Sequence, residues 1–229
     1  VTGVISPKEA LVFASILEIV SFFWFFIFVN LLSAVLAISA TAFYVFVYTM
    51  WLKRSSTNNI VIGGAAGAVP VLIGWAAVTD TLDWAPIILF SVIFFWTPPH
   101  FWALALERKV EYALVNIPML PVTHGEPLTR LHILLYTILL VLCSVMPFLI
   151  GMSGPLYLLG AVVMGIGFLY WAVVLLRNKN VKAPMATFRY SIVYLGVLFL
   201  FLLADHYLIT GSAAEPGAPL YLEMQPVQA

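Results

Sequence analysis

Residues 84–106 read WAPIILFSVIFFWTPPHFWALAL, and Glu107-Arg108-Lys109 follow at once. The run holds no Asp, Glu, Lys or Arg, and it exceeds the roughly 20 residues that a helix needs to cross a bilayer core. A surface helix of a soluble domain pairs its apolar stripe with a charged face, and this run has no charged face. It reads as a membrane span that ends in a basic loop.

Working outward, apolar runs of similar length fall near 10–29, 31–51, 60–79, 132–151, 155–176 and 189–210, which with 84–106 makes seven. Composition agrees: 63% of the residues are hydrophobic and 9% charged, against roughly 45–50% and about 25% in soluble domains. The predicted fold is all-α, a polytopic transmembrane helical bundle over residues 1–210. Residues 211–229, rich in Gly, Ala and Pro, read as a disordered tail. Zero net charge gives no footprint for nucleic acid. The single cysteine, Cys143, excludes a disulfide within the chain and argues against a cysteine metal site.

Alternation of seven spans puts Lys8, Lys53, Arg54, Arg108, Lys109, Arg130, Arg177, Lys179, Lys182 and Arg189 on one side, which accounts for all ten Lys and Arg. The other side holds Asp80, Asp83, Glu215 and Glu223. Basic loops stay in the cytoplasm, so the chain is expected to start there and its tail to lie outside. Gly63, Gly64, Gly67 and the alanines between them suit close helix packing in lipid, where small residues let backbones approach.

Two basic loops invite chemistry. Tyr44 and Tyr48 are four apart on one span face, which leads to Lys53 and Arg54, with Asn58 and Asn59 beyond. That cationic pair suits an anionic diphosphate or else only sets topology. In the other loop, Pro98 and Pro99 remove backbone donors and are expected to kink their span. His100 follows, either as a ligand or proton carrier or as a donor to a carbonyl that the prolines free. Glu107 and Glu111, beside Arg108 and Lys109, suit Mg²⁺ bridged to phosphate oxygens or form an ordinary solvated face. Glu18 lies mid-span, where an ionisable group is a functional hypothesis unless Ser15 and Ser21 pair with it. Asp205 and His206 fall near the outer surface and receive no role.

Three stretches carry a resemblance. Lys53-Arg54 followed by NIVIGG (59–64), WTPPHFWALAL (96–106) and IPMLP (117–121) resemble the haem O synthases, a branch of the UbiA prenyltransferases. The match is nearly continuous from Tyr48 to Gly125, and TPPHFW is its most specific element. The resemblance implies farnesyl transfer from farnesyl diphosphate to a vinyl group of haem b, with water adding, to give haem O. It implies an integral enzyme of the bacterial cytoplasmic membrane, with haem b as substrate and Mg²⁺ on the diphosphate. The enzyme converting haem O to haem A becomes a candidate partner. Residue by residue, it implies Lys53, Arg54 and Lys109 on diphosphate, Glu111 with Glu107 on Mg²⁺, Tyr48 and Trp102 on the cavity wall, and His100 against the haem. Asn59, Arg108 and Tyr112 occupy further motif positions as substrate contacts.

The chain departs from the family pattern twice. Glu111 stands where relatives carry Asp, and Val110 stands where many carry another. The family's first aspartate-rich motif, in a loop after two earlier spans, has no counterpart here, and Thr2-Gly3 matches the residues that follow it. The resemblance therefore implies nine spans around a central cavity open toward the basic loops, with seven of them present. It also implies that residues 1–229 alone lack the principal Mg²⁺ site and are inactive. Two other readings compete: a UbiA-type enzyme acting on a quinone precursor or chlorophyllide, and a non-catalytic membrane assembly subunit. The first leaves TPPHFW unexplained, and the second leaves the clustered basic, amide and aromatic residues unexplained.

Overall fold

The computed structural model of the chain describes residues 5–177 and 182–213, with side chains to 208. Its elements are α1 (Pro7–Phe28), α2 (Leu31–Ala42), a π-helical segment (Phe43–Leu52), α3 (Lys53–Ser55), α4 (Asn59–Thr79), α5 (Trp84–Glu107), α6 (Lys109–Leu114), α7 (Leu120–Thr123), α8 (Glu126–Leu149), α9 (Pro155–Arg177) and α10 (Ala183–Ala213). Seven segments are long and apolar enough to cross a membrane, α2 through α3 counting as one. The seven-span expectation holds, and the protein is an integral membrane protein.

Local chemistry sets the helix starts. Ser6 and Glu9 form a reciprocal capping box on α1. Asn30 Oδ1 accepts from the Ser33 N–H of α2, and Asp83 Oδ1 from the Ala85 N–H of α5. Such side chains satisfy N–H groups that a helix end leaves open. Three spans begin clearly earlier than their apolar runs predict, α1 at Pro7 rather than 10 being the smallest shift. Helix α8 starts at Glu126 rather than 132, after Gly125 at φ +82°, and α10 starts at Ala183 rather than 189. The opening turns of α8 carry Glu126, Thr129 and Arg130, and those of α10 carry Thr187, which an apolar window leaves out. Helix α10 continues to Ala213, past the predicted start of the tail. The remainder of that tail, along with Thr2, Gly3 and Lys179, lies outside the described residues.

Helix α5 packs on α8, α8 on α9, α9 on α10, and α10 back on α5, which closes a four-helix ring. From α5 an arm leads away: α4 packs on α5, α2 with the π-helical segment on α4, and α1 on α2. The ring holds one apolar cluster around Phe168, Tyr194 and Leu198 and another around Trp102, Ile133 and Leu175. Helix α1 has no buried residue. Glu18 makes no hydrogen bond or ion pair among the described residues, so the expected pairing with Ser15 and Ser21 does not form.

Candidate active site at the junction of ring and arm

Helix α5 belongs to both ring and arm, and a cavity lies on each side of its Ile93–Trp96 turn. The first, about 570 Å³, sits between the arm and α5 and is lined by Tyr44, Tyr48, Gly63, Gly64, Trp96 and Phe101 among others. The second, about 580 Å³, lies between α4, α5 and α10 and is lined by Trp96, His100, Phe188, Ile192 and neighbours. Ile93 and Trp96 face both. The single central cavity implied by the resemblance is thus divided by one turn of helix.

Three sequence features build the first cavity. The backbone over 43–52 is π-helical, a rare form that favours functional sites. It places Tyr44 and Tyr48 with ring centroids 5.3 Å apart. Gly63 makes room for the Tyr48 ring, because a Cβ there would overlap it. Gly64 does the same for Thr97, whose side chain would lie 2.9 Å from such a Cβ. The small-residue stretch therefore packs helices, as expected, and through that packing it shapes the cavity wall. One short step beyond Tyr48 the same span carries Lys53, half-buried, and Arg54, exposed. Asn59 is buried. Its Nδ2 donates to the Lys53 carbonyl at 3.2 Å, while its Oδ1 has no partner.

The double proline does not end its span: α5 runs unbroken through buried Pro98 and Pro99. His100 is buried one turn past Trp96 and does not bond a carbonyl freed by the prolines. Its Nδ1 lies 2.7 Å from the Ser191 Oγ of α10. Its ring is stacked between Trp96 (centroids 4.2 Å) and Phe188 (4.6 Å). Trp96 Nε1 donates to the Ser191 carbonyl at 2.8 Å. Trp102 is not on a cavity wall. It is buried in the ring, edge-on to His132 and Tyr136, because six residues at about 100° each turn its side chain roughly 120° round the helix from Trp96.

Backbone packing joins α6 to α5 and α7, and α3 to the π-helical segment and α4. Charged groups of the second loop are paired with one another and with the start of α8. Arg108 pairs with Glu111 at 3.1 Å, and Lys109 with Glu126 at 3.5 Å, while Arg130 reaches Glu126 at 3.0 Å. Tyr112 packs against the lower ring cluster, and Glu107 is exposed. No three metal-binding side chains cluster among the described residues. Glu111 and Glu107 fit Mg²⁺ only as the one or two carboxylates that accompany substrate phosphates, not as a self-standing site.

Two contributors escape the sequence reading. Ser191 and Phe188 hold His100 from across the second cavity, yet with the seventh span read from 189 they fall at its edge. Asp205, given no role, is buried at the opposite end of α10. It accepts from Ser153 Oγ at 2.8 Å and from the Gly154 and Tyr157 N–H groups, and so caps α9.

Comparison with known proteins agrees with this fold. The model of the UbiA prenyltransferase family matches residues 1–214. The chain is 53% identical over 207 residues to a protoheme IX farnesyltransferase of Saccharophagus degradans, covering 90% of this chain and 68% of that one. It is 52% identical to the enzyme of the same name from Stutzerimonas stutzeri, covering 90% and 69%. A solved structure of digeranylgeranylglyceryl phosphate synthase superposes with TM-score 0.75 at 20% identity, over 89% of this chain and 71% of that one, and so shares the fold. The chain belongs to the UbiA prenyltransferase family.

Proposed function

We propose that this protein transfers the farnesyl group of farnesyl diphosphate to a vinyl group of haem b, with addition of water, to give haem O. The observation that carries the reading is 53% identity, over nine-tenths of the chain, to a protoheme IX farnesyltransferase. The division of the site into two cavities of similar size supports it, since two large apolar substrates must meet.

In this reading the diphosphate sits at the basic end by Lys53 and Arg54, and the farnesyl chain runs past Tyr48 and Tyr44 into the first cavity. The C–O bond to diphosphate breaks and its electron pair leaves with the diphosphate. Fixed cations at that point stabilise the departing charge. The allylic cation is left among the faces of Tyr44, Tyr48, Trp96 and Phe101, which attract positive charge and exclude water. The vinyl π electrons of the acceptor then form the new C–C bond. Water adds to the resulting cation and gives up a proton. Glu111 and Glu107 would hold Mg²⁺, which would neutralise further charge on the leaving group. Lys109 reaches the phosphate only by leaving Glu126, so its place on the diphosphate requires movement of α6. His100 faces the haem from the second cavity. The membrane is the bacterial cytoplasmic membrane, with the basic end inside.

The test joins residues 1–229 to the unmatched remainder of the Saccharophagus degradans relative and expresses the chimera in a host without its own haem O synthase. Haems are extracted and separated by chromatography with mass detection. Haem O is the expected product. Haem b alone, with the chimera verified in the membrane, overturns the reading, as does a prenylated quinone precursor or chlorophyllide.

A further inference from the structure

At Ser191 one hydroxyl takes part in two short contacts. Its Oγ lies 2.6 Å from the Phe188 carbonyl oxygen and 2.7 Å from His100 Nδ1. A carbonyl only accepts, so the single hydroxyl proton goes to Phe188. Oγ then offers His100 nothing but lone pairs, and 2.7 Å is attractive only when Nδ1 carries a proton. The reverse arrangement turns the hydroxyl proton to Nδ1 and leaves the Ser191 and Phe188 oxygens 2.6 Å apart with no proton between them, which is repulsive. The ring cannot escape by turning over. That would swap Nδ1 for a carbon, and the ring is held between Trp96 and Phe188. Trp96 is itself tied to the Ser191 backbone. His100 Nε2 has no hydrogen-bond partner among the described residues.

We infer that Ser191 is a positioning residue: it fixes neutral His100 as the Nδ1–H tautomer and leaves Nε2 as a bare lone pair at the cavity between α4, α5 and α10, available to the iron of a tetrapyrrole acceptor. The identity of that acceptor rests on the function proposed above, whereas the tautomer does not. The arrangement matches the general pattern in which a ligating imidazole donates its other N–H to a neighbouring group, which sets both tautomer and orientation.

The chain in lipid nanodiscs, labelled with ¹⁵N-histidine, tests the tautomer by long-range ¹H–¹⁵N correlation. The His100 signals are those lost in His100→Gln. A protonated Nδ1 and bare Nε2 are expected in the parent and in Ser191→Thr, which keeps the hydroxyl. Ser191→Ala is expected to populate the other tautomer. A parent protein with Nε2–H, or a Ser191→Ala spectrum unchanged from the parent, overturns the inference. Titration with ferric haem b, read through the Soret band and low-spin EPR, tests the use of the lone pair. Ser191→Ala is expected to weaken imidazole ligation by about 10–100-fold, with Ser191→Thr near the parent and His100→Gln without that signature. An unchanged haem spectrum in His100→Gln overturns the iron-facing role even while the chimera still makes haem O, so the two readings fail separately.

Discussion

The ring of α5, α8, α9 and α10 pairs most of its buried polar groups within itself, with Trp102 Nε1 an exception, whereas the arm of α1, α2, the π-helical segment and α4 is tied by Asn30 and Ser33 to α4 carbonyls at one end and leaves room at the other. Inside the ring the Ser144 hydroxyl donates to the Leu140 carbonyl and accepts from Tyr194, and the Tyr157 hydroxyl donates to the Ser144 carbonyl. Tyr190 donates to the Met164 carbonyl, and Asp205 gathers three donors. On the arm side stand a π-helical stretch, glycines pressed against Tyr48 and Thr97, an Asn59 oxygen without a partner and a cavity of about 570 Å³. In lipid, apolar side chains gain little by meeting each other, so packing and interhelical hydrogen bonds hold a bundle together. The ring has both along its length. The arm has them at the Asn30 end of α2 and leaves space next to the cations, where α5 joins the two.

The sharpest way to break this division is to remove chemistry from the arm. Lys53→Ala in the haem O chimera is expected to lower the turnover rate by about 10²–10³-fold, the usual loss when a group aimed at developing charge is deleted. Its melting temperature in detergent should stay at the parent value. A melting temperature that falls together with activity would place Lys53 in the scaffold instead. The converse experiment is on the ring. Asp205→Ala leaves the Ser153 hydroxyl and two backbone N–H groups at the start of α9 without their acceptor. Each such buried group costs about 1–3 kcal/mol, so a loss of about 3 kcal/mol is expected in denaturant unfolding. Asp205→Asn, which keeps one acceptor oxygen, should lose less. Equal losses for the two would mean that the carboxylate is not the cap.

A finer probe works within the first cavity, where two glycines of α4 differ. A Cβ at Gly63 would overlap the Tyr48 ring, whereas at Gly67 it meets nothing within 4 Å. Overpacking typically costs about 1–3 kcal/mol. Gly63→Ala is therefore expected to displace Tyr48 and lower kcat/KM for farnesyl diphosphate by about tenfold. Gly67→Ala, on the same wall, should leave it within about twofold. Similar losses at both positions would mean that the wall responds to bulk in general rather than to the seat of Tyr48.

The same division governs what was legible in the sequence. Spans announce themselves through length and absence of charge, so all seven were readable, and the largest errors fell at the starts of α8 and α10, whose opening turns include polar residues. Motif residues that lie along one helix, such as Tyr44, Tyr48 and Lys53, were found because helical spacing places them together. What periodicity cannot reveal is which helices meet. Ser191 looks like an interfacial serine until α10 is known to begin at Ala183 and to face α5. Asp205 looks like a cheap surface charge until the Ser153–Gly154 turn is known to lie against it. Trp102 was assigned by motif membership, and only the angular position of its side chain on α5, with the ring packed behind it, shows that it faces the core.

The smallest expected effect tests how much the polar closure of the ring contributes. Ser144 on α8 and Tyr194 on α10 meet at 2.6 Å across the diagonal of the ring, between two helices that do not otherwise pack on each other. Interhelical hydrogen bonds in membranes average only about 0.6 kcal/mol by double-mutant cycle, because in the unfolded reference state the same groups find other partners. The cycle of Ser144→Ala, Tyr194→Phe and the double variant should thus give a coupling of about 0.6 kcal/mol, with haem O formation unchanged. A coupling near zero would make the diagonal bond incidental and leave the closure of the ring to the edge contacts of its four helices. A coupling well above about 1.7 kcal/mol, the upper end for such bonds, would mean that Ser144 and Tyr194 act together with Tyr157, whose hydroxyl donates to the Ser144 carbonyl. The polar centre of the ring would then behave as one cooperative unit, unlike the wall of the first cavity, where the Asn59 oxygen has no partner.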